Sequence, residues 1–438
     1  MTEHLPIAGA CSAATLPTMI VFCHLRWDFV YQRPQQLLSR LAEHYRILVV
    51  EEPVFHDGAA FLKCYSPLPN LTVLQPHTPV HARGFHDDQI PLLQPLLAEL
   101  VSAADAPVVW LYTPMALPLL NTVHPSAVVY DCMDELSAFK NAPKQLLQRE
   151  TALLNIADVV FTGGPSLYEV KRERHANAHC FPSSVDLKHF SQALERSKAH
   201  PSQLQLRIPR FGYYGVIDER FDIGLLRAVA DARPEWELVI VGPVVKIDEA
   251  TLPRNANIHY MGQASYDELP QYLAAWHVCL MPFALNDSTK FISPTKVLEY
   301  MAAELPIVST DIADVSKSYG DIVSIAHGAG QFIRACEAAL HFTPEQRVKL
   351  AQQMRAVVQS TSWDRTADLM RGLINAGQKG RAEQVVAGAC KSAMASVNPV
   401  RAGAVKEQPK VVNGAAHGGG LFQRKERQHE DFCNRPLR

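Results

Sequence analysis

What the chain lacks narrows its possibilities first. No stretch approaches the ~20 consecutive apolar residues of a membrane-spanning helix. Glu3 stands where a secretion signal places positive charge, and Pro6 and Pro17 break the apolar stretch from Leu5 to Met19. The nine cysteines are scattered without a Cys-x-x-Cys pair, and an odd count with no framework suits a reducing compartment. The sequence therefore reads as cytoplasmic, with peripheral contact on the inner face of the cell membrane left open. Neither sign of charge dominates. A net charge of -2 withholds the basic surface that nucleic-acid phosphates require, so no nucleic-acid partner is expected.

Several catalytic signatures are missing as well. No Gly-x-Gly-x-x-Gly follows the first apolar run, which removes the main support for a dinucleotide oxidoreductase. There is no Walker loop, no His-Glu-x-x-His and no Gly-x-Ser-x-Gly elbow. No two aspartates stand as Asp-x-Asp, the usual metal clamp on a diphosphate. A bound diphosphate must then be neutralised by helix N-termini and basic side chains, and no metal or other cofactor is expected.

The residues that are present have a clear rhythm. At 438 residues, 47% hydrophobic and 20% charged, the chain is globular and too long for one core. Apolar runs of strand length (19–23, 46–51, 71–74, 108–112, 127–130, 158–162, 178–181) alternate with amphipathic helical stretches. Short, wholly apolar strands between helices indicate a parallel sheet covered on both faces. The polar segment 187–208 then reads as an interdomain connection. A second series of strands follows (210–214, 238–241, 258–261, 278–282, 307–310, 322–325). The expected organisation is a flexible start (1–17), a first Rossmann-like domain (18–186), a linker (187–208), a second Rossmann-like domain (209–360) and a helix (361–376) that packs back on the first. Residues 377–438 carry eleven Lys and Arg against five Asp and Glu. They lack sustained periodicity, so a disordered basic tail is expected.

One segment, Ser293-Pro294-Thr295-Lys296-Val297-Leu298-Glu299-Tyr300-Met301-Ala302, carries a specific chemistry. Ser293 suits an N-cap and Pro294 the first helical position. A helix beginning abruptly after a strand offers free N–H groups and a dipole to an anion. Lys296 in the first turn sits at the unfavourable end for a cation unless an anion joins it. Glu299 shares its face and can accept two hydrogen bonds from ribose hydroxyls. An ordinary capped helix with an i,i+3 ion pair would look the same in isolation. The C-terminal edge of a parallel sheet, where open α/β folds bind ligands, decides for a site.

This segment resembles the donor domain of GT-B glycosyltransferases, particularly glycosyltransferase family 4 members with Pro-x-Lys-x-x-Glu-Tyr-Met-Ala. Phe181-Pro182-Ser183-Ser184-Val185-Asp186 through Phe190 is similar to the family's segment closing its first domain, and Gly212–Ile217 to the loop opening its second. The resemblance implies an α/β GT-B fold, two tandem Rossmann-like domains with an interdomain cleft. It implies Glu299 on the donor ribose, Lys296 and the backbone of Ser293, Pro294 and Thr295 around the diphosphate, and Gly215 as the close-approach glycine. Lys290 and Arg220 are further candidate phosphate contacts. Many family members carry Glu-x7-Glu, but the position of its first glutamate is Phe291 here. The motif therefore speaks for the nucleotide more than for the sugar.

The acceptor side is sought in the first domain. The cluster His24, Arg26, Trp27, Asp28, Phe29, Tyr31 and Arg33 follows the first strand. Its aromatics can stack on sugar rings and its charges bind hydroxyls or an anionic acceptor. Asp131 and Asp134 follow another strand, where a carboxylate can remove the acceptor's proton; the resemblance favours Asp134. The reading is a hexosyltransferase using a nucleotide-diphosphate sugar, taken as UDP-linked, and a saccharide or lipid-linked acceptor of cell-surface polysaccharide synthesis. The alternatives are a non-hydrolysing nucleotide-sugar epimerase and a non-catalytic sugar-binding subunit.

Overall fold

A computed structural model describes residues 16–100 and 106–396, with side chains through residue 383. The first sheet contains β1 (Thr18–Cys23), β2 (Arg46–Glu51), β3 (Val54–Phe55), β4 (Phe61–Leu68), β5 (Leu71–Thr78), β6 (Val108–Leu111), β7 (Ala127–Cys132), β8 (Val159–Thr162) and β9 (Ala178–Cys180). Its order is β3-β5-β2-β1-β6-β7-β8-β9, and β4 pairs antiparallel with β5 at the edge. The central strands β1, β2, β6, β7 and β8 are buried almost end to end, as a sheet covered on both faces requires. One face packs around Ile20, Phe22, Leu111, Tyr130 and Leu153. The other packs around Val21, Leu37, Trp110 and Phe161, and takes in Trp363, Ala367, Met370 and Ile374 of the last helix.

The second sheet contains β10 (Arg210–Tyr214), β11 (Glu237–Val241), β12 (Ile258–Gly262), β13 (Val278–Met281), β14 (Ile307–Thr310) and β15 (Ser324–Ala326), all parallel in the order β12-β11-β10-β13-β14-β15. Both sheets reverse direction at their first strand, next to β6 in one and β13 in the other. In open α/β sheets a crevice forms at the carboxyl ends of the strands at such a reversal, and ligands bind there. The cores of the two sheets are separate clusters. Segment 187–208 is not a bare linker. It folds into short helical turns and contributes Phe190 and Ala193 to the second core.

Three expectations need correction. The edge strand β4 went unread because its residues FLKCYSPL are mostly exposed and lack a buried face. The donor-site helix spans Lys296–Ala302 and begins after Thr295. Ser293 makes no cap, and Pro294 and Thr295 instead accept the turn's first hydrogen bonds from Val297 and Leu298. Order also continues past residue 377, because the last helix runs Trp363–Ser396. Gln378 donates to Ser126 at 2.8 Å and Arg381 pairs with Asp158 at 2.5 Å. The Ala, Gln, Lys and Arg that suggested a tail are also strong helix formers. The expectations for residues 1–15 and 397–438 lie outside the described residues. Among the described residues, no helix is long and apolar enough to cross a membrane.

Candidate functional site

The two switch points face one cavity of about 580 Å³, within the range of small-molecule sites. The first domain lines it with Trp27–Arg33, Gln36, Met133, Asp134, Gly163 and Ser183. The second contributes Tyr213–Val216, Arg220, Gly242, Gln263–Tyr266, Ser293–Lys296 and Glu299.

On the second-domain wall, Gly215 and Gly242 have φ of +137° and +139°, a region that L side chains rarely adopt. A Cβ on Gly242 would collide with the Gly215 carbonyl, and one on Gly215 would lie 2.8 Å from Lys296 Nζ. The loop after β10 therefore passes directly over Lys296. The ammonium lies 5.5 Å from the Tyr213 ring centroid and 5.6 Å from that of Phe283. No carboxylate is within ion-pair distance of it among the described residues. Burial, with Arg220 nearby, lowers its pKa from 10.5 to about 8. The amides of Thr295 and Lys296 have no acceptor among the described residues. Among the described residues, this wall carries positive charge and free donors without an internal partner.

Glu299 is buried, and one of its carboxylate oxygens accepts the Tyr214 hydroxyl at 2.5 Å. The other oxygen remains available to a ligand. Burial raises the pKa of the carboxyl, opposed by Tyr214 and Lys296. Arg220 reaches the cavity while held by Asp218, with contacts of 2.7–3.1 Å. It also lies 5.4 Å from the ring centroid of Phe139 in the first domain.

On the opposite wall Asp134 makes no side-chain hydrogen bond among the described residues. Burial raises its pKa; Arg220, Arg33 and Lys246 oppose that, while Asp218 adds to it. Trp27 and Asp28 line the cavity beside it. Tyr31 packs at a tilt against Tyr266 across the cleft with ring centroids 4.5 Å apart. Gln36 donates to Tyr266 Oη at 2.8 Å, and Gln263 donates to the Phe29 carbonyl at 2.5 Å.

Five candidates sit elsewhere, or are committed to structure. Asp131 is fully buried, and Arg33 grips it with Nε and Nη2, each 3.0 Å from one carboxylate oxygen. Asp131 therefore faces Arg33 instead of the cleft. Arg33 lines the cavity but has committed its guanidinium to Asp131 and, at 2.7 Å, to the Phe181 carbonyl. Arg26 bonds Glu51 at 2.9 Å and the Glu52 carbonyl at 2.5 Å, bracing the turn after β2. His24 does not line the cavity; burial and Lys246 lower its pKa to about 4, leaving a neutral ring. Lys290 is exposed and lies 5.2 Å from the Phe291 ring centroid. Phe291 packs against the first domain's core and does not line the cavity. Tyr214, Tyr266, Ser183 and Gly242 were missed. Only Gly242-Pro243, directly after an apolar strand, carries a local signal.

Comparisons with known proteins bear on the fold and the activity. Residues 210–359 match the family described as glycosyl transferases group 1. The chain is 25% identical over 301 residues, 62% of its length and 73% of the relative's, to the "Putative teichuronic acid biosynthesis glycosyltransferase TuaH" of Bacillus subtilis (strain 168). Sucrose-phosphate synthase from Thermosynechococcus elongatus superposes with a TM-score of 0.64 at 16% identity, covering 85% of this chain and all of that one. Anabaena HepE, in complex with UDP and glucose, superposes with a TM-score of 0.60 at 14% identity, covering 82% of this chain and 99% of that one. The fold is GT-B.

Proposed function

We infer that this GT-B glycosyltransferase moves a hexose-type sugar from a nucleotide-diphosphate sugar, read as UDP-linked, to a saccharide or lipid-linked acceptor in cell-surface polysaccharide synthesis. One observation carries the reading. A single cavity joins both switch points, with Lys296 beside Glu299 on one wall and Asp134 on the other, Lys296 and Asp134 both without a side-chain partner among the described residues. The group 1 match spans the first wall, and the curated relative's name supports polysaccharide synthesis. The structure with UDP and glucose supports the donor class.

In this reading the free Glu299 oxygen receives the ribose hydroxyls, with Tyr214 fixing the carboxylate. Lys296, the Thr295 and Lys296 amides and Arg220 face the diphosphate. They meet its charge without a metal, so turnover should survive a chelator. Asp134 takes the proton as the acceptor oxygen bonds to the anomeric carbon. The sugar–diphosphate bond breaks, and its electron pair leaves with the nucleotide diphosphate, whose growing charge Lys296 and Arg220 stabilise. Burial raises the carboxyl's pKa, while Arg220, Arg33 and Lys246 favour its charged form, the form that accepts a proton. If the transfer is a single direct displacement with Asp134 as base, the anomeric carbon inverts, readable by NMR of the product.

The test is a donor screen with and without acceptor, scoring transfer, hydrolysis and epimerised sugar. Asp134→Ala should lower turnover by roughly 10²–10⁴-fold with donor affinity kept. Epimerised donor in the absence of acceptor, or full turnover by Asp134→Ala, would contradict the assignment.

A further inference from the structure

The helix Pro165–Lys171 lies between the two domains and lacks a cap of its own. Its N-cap is Gly164, which has no side chain. The missing cap comes from the other domain. Asp314, second residue of the helix Ala313–Tyr319 behind β14, accepts the Ser166 N–H at 3.0 Å and also the Ser166 hydroxyl. A carboxylate here satisfies free N–H groups and suits the helix dipole. Asp314 is 3% exposed, and its second oxygen is enclosed without a partner among the described residues. A Cβ at Gly164 would collide with that oxygen and lie 2.7 Å from Ser293 Cβ. The glycine thus lets the second domain approach.

Both ends of this helix also hold the loop that bears Asp134. At its start, Gly163 donates to the Cys132 carbonyl at 3.0 Å. A Cβ there would collide with the Met133 carbonyl. At its end, Lys171 is 1% exposed and donates to Glu135 at 2.8 Å and to Glu150 at 2.5 Å. Glu135 directly follows Asp134. Glu150 is independently supported by Tyr130 at 2.9 Å and Arg174 at 2.6 Å, so it fixes Lys171 firmly.

We propose that Asp314 is a positioning residue: by capping the helix Pro165–Lys171 across the cleft, it ties closure of the two domains to the placement of Asp134 through Lys171 and Glu135. Asp134 is then held at the acceptor only when the donor-bearing domain is docked. The inference rests on the reading of Asp134 as the base. Its test therefore includes a measurement that needs no substrate.

That measurement is amide hydrogen exchange on the full chain. Asp314→Ala should speed exchange at Ser166 by roughly fivefold or more, as expected for a lost cap, and exchange across 133–138 should rise with it. Asp314→Asn, which keeps an acceptor, should restore most of the protection. In turnover, Asp314→Ala should lower kcat roughly tenfold, the scale of a displaced catalytic group, with UDP affinity within about twofold. Glu135→Gln should lower kcat while leaving Ser166 protected. The double variant Asp314→Ala/Glu135→Gln should lose little more than the worse single one. If Asp314→Ala unfolds the chain, Ser166→Ala makes the same test more mildly. The proposal is overturned if Ser166 exchanges faster while 133–138 stays protected, if the two kcat losses simply multiply, or if the loss appears in UDP affinity. Full turnover by Asp134→Ala would remove the base assignment and leave the exchange result standing.

Discussion

Lys296 gives a binding reaction with a defined proton count. Burial between Tyr213 and Phe283, with Arg220 nearby, brings its pKa down to about 8. In the free protein about one tenth of it is neutral at pH 7, about half at pH 8 and about nine tenths at pH 9. A diphosphate against the ammonium favours the charged form and raises this pKa. Binding at pH 8 should then take up about half a proton. The sign follows from the shift: affinity is full below the free pKa and falls as pH rises through it. Between pH 7 and pH 9 the Kd for UDP should rise about tenfold, or about 1.4 kcal/mol. The terminal phosphate of UDP titrates near ~6, outside this window. Calorimetry of UDP binding in buffers of different ionisation enthalpy reads the proton uptake directly. Lys296→Met should bind more weakly and with a flat profile. A pH-independent wild-type Kd, or the same slope in Lys296→Met, would refute the reasoning.

Two further substitutions probe the structure around the site. Asp131→Ala leaves the Arg33 guanidinium buried without its carboxylate and should cost about 3–5 kcal/mol, read as a fall in the denaturant midpoint. Gly215→Ala places a methyl against Lys296 at a φ of +137°. It should lower UDP affinity by more than tenfold, since strain of ~1–3 kcal/mol adds to a displaced ammonium.

The sequence was most legible where its chemistry is local. Strands such as 46–51, 210–214 and 307–310 each carry a short apolar run, and the structure forms them over those residues. Lys296 and Glu299 share one helix turn, so their common face could be read from spacing. The helix start was misplaced because Ser293-Pro294 satisfies capping rules that the turn through Thr295 does not use. Asp131 and Asp134 look alike in sequence. What separates them is Arg33, 98 residues from Asp131. Tyr214 on Glu299, Tyr266 on Gln36 and Asp314 on Ser166 are likewise long-range pairs with no local signal. The last helix continues to Ser396 through residues whose helix propensity is high but whose apolar pattern is weak.

Glu299 offers the most direct measurement. It is buried, has one oxygen committed to Tyr214 and the other free at the cavity, and sits one turn from Lys296. Titration of UDP into the wild type and into Glu299→Ala should show a loss of roughly tenfold to a hundredfold in affinity, as expected for a charged hydrogen-bond acceptor worth about 1.5–3 kcal/mol. Equal affinity in the two proteins, or no UDP binding to the wild type, would contradict a nucleotide-sugar site at this cavity.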